Sequence, residues 1–287
     1  MDLGVRIPAS GPLANAETLA QLARWADDLG YHSVWVSDHV VLPHHVASPY
    51  PYAADGRWTT PADTPWLDPL LALAWAAMAA PRVKLAMSVL VLPLRNPILL
   101  AKQLATLDYL SGGRVWLGVG AGWMAEEFEL IGVPFADRGK RSVEMIRLMR
   151  ALWSGETVDF RGDIWQVQDC QMYPRPVQGT IPVVWGGHSD AALRRVARLG
   201  DGWHPTLITM NELADGVRRL RAFCEQAGRD FASVPIIARP GAKYRLTQET
   251  QAQHRALGVT HVVVDVPLTG EGLRDAYDEM VRVARLT

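Results

Sequence analysis

Residues 84–119 read KLAMSVLVLPLRNPILLAKQLATLDYLSGGRVWLGV and contain one complete strand–helix–strand unit. Residues 84–92 form an apolar run of strand length, 98–110 carry a helical pattern that Gly112-Gly113 ends, and 115–119 return to strand. The same alternation extends outward in both directions. Towards the N-terminus the strands are 3–7 and 33–36, separated by a helix with Leu19, Leu22, Ala23, Ala26 and Leu29 on one face and Gly30 closing it. A helix over 70–79 leads into the quoted unit. Beyond it come a helix at 140–153, strand 181–185, helix 191–199, a brief strand from Gly202-Trp203, and a helical stripe of Leu213, Val217, Leu220 and Cys224. Strands 235–238 and 261–264 and a last helix over 272–286 complete the series. Eight strands, most followed by a helix and with no change of composition between them, predict one α/β domain over 1–287: a single (β/α)8 TIM barrel, with an open doubly wound sheet as the alternative. Two segments break the repeat. Residues 40–66, after strand two, are rich in Pro, His, Tyr and Trp without periodicity, and a loop of that length is usually a lid or binding loop. Residues 157–160 and 164–167, flanking Arg161-Gly162-Asp163, predict a β-hairpin inserted before strand five.

The chain has 287 residues, 49% hydrophobic, with 29 basic and 30 acidic side chains and a net charge of -1. This balance excludes disorder, and with no Lys/Arg cluster it argues against a nucleic-acid partner. The longest apolar stretch, 67–80, is interrupted by Asp68 and Pro69 and is too short to span a bilayer, so no membrane role is expected. Cys170 and Cys224 show no C-x-x-C spacing and no secretion signal opens the chain, which together predict a cytoplasmic protein. The 25 Arg to 4 Lys ratio suggests a GC-rich bacterial source. The unusual count is 11 Trp. Trp35, Trp123, Trp185 and Trp203 fall at or just past strand ends, and Trp58 and Trp66 lie in the 40–66 loop, so these six are expected to converge on one mouth of the barrel.

Barrel chemistry gathers where strands end. Asp38-His39 follows strand two, Arg95-Asn96-Pro97 strand three, Gly118 to Trp123 strand four, Gly186-Gly187-His188-Ser189 strand five and Trp203-His204-Pro205 strand six. Asp38 and His39 form a titratable pair suited to proton transfer, or else a cap and a semi-buried histidine. Gly120-Ala121-Gly122 either brings backbone close to a planar cofactor or makes a tight turn; the dinucleotide fingerprint lacks its acidic partner. Gly186 to Ser189 precedes a helix, so its N–H groups and the Ser189 hydroxyl suit a phosphate, with Ser189 as a plain N-cap the other reading. His39, His44 and His45 match no zinc spacing and no metal is expected. Glu126, Glu127 and Glu129 form an acidic cluster on a short helix, which reads as a solvated face. The common hydrolase and NTPase motifs do not occur, and no lysine follows a strand, since Lys84, Lys102 and Lys140 sit at strand starts or on helices and Lys243 in a loop.

The segments 33–39 (SVWVSDH), 88–97 (SVLVLPLRNP), 112–123 (GGRVWLGVGAGW), Trp153-Ser-Gly, Pro174-Arg-Pro176 and 186–189 (GGHS) together resemble the luciferase-like monooxygenase superfamily, in its branch that uses the deazaflavin coenzyme F420. The resemblance covers nearly the whole chain. It implies a non-proline cis peptide at Ser88–Val89 bulging against the cofactor ring, Asp38 near the ring's pyrimidine edge and His39 beside the reacting carbon. It further implies Gly120, Ala121 and Gly122 beside the cofactor and Gly186, Gly187, His188 and Ser189 around the phosphate. Position alone, at strand ends and in the 40–66 loop, adds Trp185 to the cofactor side and directs Trp58, Trp66, Trp123 and Trp203 toward substrate. Hydride transfer between F420 and an organic small molecule, with His39 as acid/base, is the activity implied. An FMN-dependent monooxygenase served by a flavin reductase, and a non-catalytic coenzyme-binding barrel, are the alternatives. A homodimer is implied as well. Trp123 stands where F420-dependent sugar-phosphate dehydrogenases carry a glutamate, which argues for a more apolar substrate.

Overall fold

The computed structural model describes residues 1–241, 244–267 and 273–286; Lys243 and the expected start of the last helix at Gly272 lie outside them. Eight parallel staves close into a barrel in the order β1 (Asp2–Arg6), β2 (Ser33–Val36), β3 (Lys84–Met87) with β4 (Leu90–Val91), β5 (Val115–Gly120), β8 (Val183–Gly186), β9 (Gly202–His204), β10 (Ile236–Ala238) and β11 (Val259–Asp265), which returns to β1. The predicted third strand is one stave in two pieces: Ser88–Val89 is a cis peptide between β3 and β4, and a 3-10 turn follows at Leu92–Leu94. The insertion is a hairpin, β6 (Val158–Arg161) with β7 (Gln166–Cys170). Its tip is held by Glu144, whose buried carboxylate accepts from the N–H groups of Asp163, Ile164 and Trp165 at 2.6–3.0 Å.

Helices α1 (Ala16–Asp28), α2 (Pro69–Ala79), α3 (Pro97–Ser111), α5 (Arg138–Trp153), α6 (Asp190–Leu199), α7 (Met210–Gln226) and α9 (Arg274–Ala284) occupy the predicted places. The first three start on short polar caps: Asn15 accepts from Thr18, Asp68 from Leu70 and Leu71, and Asn96 from Ile98 and Leu99. The short helix expected to carry Glu126, Glu127 and Glu129 is α4 (Ala125–Ile131), directly after the β5 loop. One helix was not expected: α8 (Gln248–Ala256) buries only Gln251 and His254, so no apolar stripe announces it; a Thr247/Thr250 capping box starts it instead. No helix among the described residues is long and apolar enough to cross a membrane.

Strand side chains alternate between the lumen and the helical layer, and this pleat decides where each strand-end residue goes. Trp35, Ala86, Val184, Ile237 and Val263 pack together inside the barrel, with Trp116 against them. Val183, Trp185 and Trp203 belong to the larger outer core beneath the helices.

Candidate active site

The C-terminal ends of the staves surround a cavity of about 780 Å³, the expected end for a barrel of this type. Its floor is built around the cis peptide. The Ser88 hydroxyl lies 2.8 Å from His204 Nε2, and His204 Nδ1 lies 2.6 Å from the Ile237 carbonyl. A carbonyl only accepts, so Nδ1 carries the proton and Nε2 accepts from Ser88. Complete burial pushes the His204 pKa down to about 3, in keeping with a neutral ring, and the ring stacks on Trp35 at 4.6 Å. Val89 projects between two glycines: a Cβ on Gly120 would sit 2.7 Å from Val89 Cγ2, and one on Gly186 3.1 Å from Cγ1.

His39 stands on the wall. Its Nδ1 lies 2.9 Å from Glu127 Oε2, whose carboxylate is almost wholly buried, and Glu127 Oε1 accepts from the Val40 N–H at 2.6 Å. With Nδ1 engaged, Nε2 is the nitrogen left for proton exchange in the cavity. Three indoles enclose the imidazole, with ring centroids at 4.7 Å for Trp66, 5.3 Å for Trp58 and 6.3 Å for Trp123. Trp58 and Trp66 come from the 40–66 loop, which spans the mouth. Glu126 accepts from the N–H groups of Ala47 and Ser48, and on the far side the Thr206 hydroxyl donates to Tyr52 at 3.5 Å.

Opposite His39, the Gly186–Ser189 turn meets the start of α6. Gly187 has φ +95°, and the Ser189 hydroxyl accepts from the Ala192 N–H at 3.3 Å as the helix N-cap. Arg138 and Arg195 line the cavity beside this turn. Arg138 is held by the carbonyls of Gly122 and Phe135, whereas the buried Nε of Arg195 has no hydrogen-bond partner.

Residues 2–262 match the family described as luciferase-like monooxygenase. This chain belongs to that family. Among its relatives, an uncharacterised protein of Mycobacterium tuberculosis is 37% identical over 251 residues, 86% of this chain and 85% of the relative. An F420-dependent glucose-6-phosphate dehydrogenase of Amycolatopsis mediterranei is 34% identical over 208 residues, 70% of this chain and 56% of that one. The solved structure of an F420-dependent secondary alcohol dehydrogenase, in complex with an F420-acetone adduct, shares the fold with a TM-score of 0.77 at 16% identity, covering 100% of this chain and 98% of that one.

Within this luciferase-like barrel, Asp38, His39, Ser88, Val89, Gly120, Ala121, Gly122, Gly186, Gly187, His188, Ser189, Trp58, Trp66 and Trp123 all line the one cavity. Trp185 and Trp203 do not. The pleat turns both outward, where Trp203 donates to the Gly187 carbonyl at 2.9 Å and packs on Gly216, and His204 takes the inward position next to it. Trp35 is in the barrel interior below the cavity, so three of the six tryptophans reach the mouth. Asp38 also has a structural task. Its carboxylate is completely covered and accepts from the Val91 N–H at 2.9 Å and Arg95 at 2.8 Å, fixing the chain just past Val89. Burial pushes its pKa up to about 6 in spite of Arg95. Gly122 makes room for Phe128, 2.6 Å from where its Cβ would lie, so the glycine loop accommodates protein before any ligand. The acidic cluster is divided: Glu129 is exposed as expected, but Glu126 and Glu127 hold the loop and His39. Glu127, Arg138 and Arg195 escaped the sequence reading, because a carboxylate or guanidinium on a helix carries no local sign that it points inward.

A planar, anionic cofactor fits the polar groups present. The buried indole N–H groups of Trp58 and Trp66 and the Nε of Arg195 are donors without acceptors, and all three residues line the cavity. A ring system with carbonyl oxygens and a phosphate supplies such acceptors.

Proposed function

We propose that the protein is an F420-dependent oxidoreductase acting on an organic substrate held beneath the 40–66 loop. The observation that carries this reading is the Glu127–His39 pair, walled by Trp58, Trp66 and Trp123 and set in the same cavity as the Val89 bulge. The deazaflavin, when bound, supplies the hydride chemistry. His39 exchanges a proton with the substrate through Nε2, and Glu127 orients the ring through Nδ1. The turn from Gly186 to Ser189, with Arg138 and Arg195 beside it, binds the coenzyme's phosphate. Asp38 positions the backbone past Val89, and the loop indoles exclude water from the reacting groups. The relatives that use F420 support this choice of coenzyme. Trp123 leaves the wall apolar, which favours a less polar substrate than a sugar phosphate, while Glu127, four residues further on, acts in the site through His39. The exposed apolar side chains Leu71, Trp75 and Met78 on α2 support a homodimer.

Fluorescence titration with F420 and with FMN tests the reading. Saturable binding of F420, with FMN much weaker, is expected. Tighter binding of FMN, with turnover only in air, would assign the barrel to a two-component monooxygenase, and binding of neither would remove the coenzyme function. His39→Ala is expected to keep F420 affinity and lower the rate of coenzyme reduction by ~10².

A further inference from the structure

At the opposite end of the barrel, Asp2, His32 and His261 meet beneath Trp116. One donor atom from each lies within 4.8 Å of the others. Asp2 and His261 are register partners on β1 and β11, where the barrel closes, and His32 directly precedes β2, its N–H donating to the Leu3 carbonyl. Hydrogen bonding specifies which atoms face each other. The Thr260 hydroxyl donates to the Ile236 carbonyl at 3.1 Å, so toward His261 Nδ1, 2.8 Å away, its oxygen accepts. Nδ1 therefore carries the proton, and in the neutral ring Nε2 presents a lone pair to Asp2 Oδ2 at 3.1 Å. Two acceptors in contact call for a positive charge between them, supplied by a proton on the ring or by a bound metal ion. The second imidazole adds to this, since the buried Nδ1 of His32 has no hydrogen-bond partner, and the two rings stand 4.8 Å apart, centroid to centroid. Lys84, the neighbouring cation on β3, is drawn away to the Gly113 carbonyl at 2.9 Å.

We propose that Asp2, His32 and His261 bind a divalent transition-metal ion, Zn²⁺ by ligand type, that pins β1, β2 and β11 together at the base of the barrel. Two imidazoles and a carboxylate are a zinc-like set with a fourth position open to water. Ligand atoms about 2.1 Å from a tetrahedral metal lie roughly 3.4 Å apart, so a side-chain movement of about 1 Å completes the set. Asp2 is exposed and free to make part of it. The site is independent of the coenzyme cavity, and no spacing of residues 2, 32 and 261 suggests it in the sequence.

The test is calorimetric titration of the tag-free, chelator-stripped chain with Zn²⁺. One equivalent should bind, raise the thermal unfolding midpoint, and be weakened at least tenfold by Asp2→Asn and by His261→Gln. The His44→Ala/His45→Ala double variant, in the distant loop, should bind Zn²⁺ as the wild type does. Absence of saturable binding would overturn the proposal, as would Zn²⁺ affinity unchanged in both Asp2→Asn and His261→Gln. Asp2→Asn changes an exposed side chain and keeps the test usable if His261→Gln folds poorly.

Discussion

At the scale of single residues, His39 and His204 are held in different ways by what touches their ring nitrogens. His39 faces a buried carboxylate, so Glu127→Gln, which keeps an acceptor for Val40 but loses the negative charge, should slow coenzyme reduction about tenfold or more while leaving coenzyme affinity unchanged. Stopped-flow rates and a binding titration separate the two effects. His204 is held neutral between Ser88 and Ile237, with its pKa down near 3. The unfolded chain binds a proton there below about pH 6.5 and the native state does not, so stability is full above that pH and is lost on acidification toward the folded value, by about 2 kcal/mol at pH 5. Urea unfolding at pH 7 and pH 5 should show this loss in the wild type and a smaller one in His204→Gln. Asp38 and His39 were legible as a strand-end pair; their separate tasks were not, since these depend on Arg95, Val91 and Glu127, all distant in the chain.

Elements explain why neighbouring residues exchanged places. Alternation along β9 turns Trp203 outward and His204 inward, and a shift of one residue in the assumed register reverses the two. The Gly202-Trp203-His204 stretch is too short to show its own period, so only the neighbouring strands β8 and β10 decide its register. The 40–66 loop is likewise held from outside itself. Two carboxylates at the start of α4 grip its backbone, Glu126 at residues 47 and 48 and Glu127 at 40 and 41. Glu126→Ala should therefore leave the barrel's unfolding midpoint nearly unchanged and open the loop to protease, with new cleavage inside 40–66 seen by mass spectrometry and weaker protection by bound coenzyme. The loop was recognisable from its composition; its clasp was not, because acidic residues opening a helix look the same whether they face solvent or protein.

For the whole molecule, α2 is apolar around its circumference. One side, with Leu70, Leu73 and Ala76, is buried in this chain, and the other exposes Leu71 at 73% and Met78 at 85%. An amphipathic helix would place charge there, so a second copy is the expected cover. Sedimentation velocity should find a dimer that Leu71→Glu with Met78→Glu converts to a folded monomer, and a monomeric wild type would remove the assignment.

The sequence by itself determined the architecture, the long loop, the hairpin and the places where strands end, because strand and helix periods, glycine stops and proline-rich breaks are local properties of the chain. Only the tertiary structure decided that Glu127 serves His39, that Trp185 and Trp203 lie under the helices, that Gly120 and Gly186 accommodate Val89, and that Asp2, His32 and His261 meet at the base. Each of these depends on closure of the barrel, which joins residues far apart in the chain, and on the pleat, which chooses between two faces that the residue types alone leave equivalent.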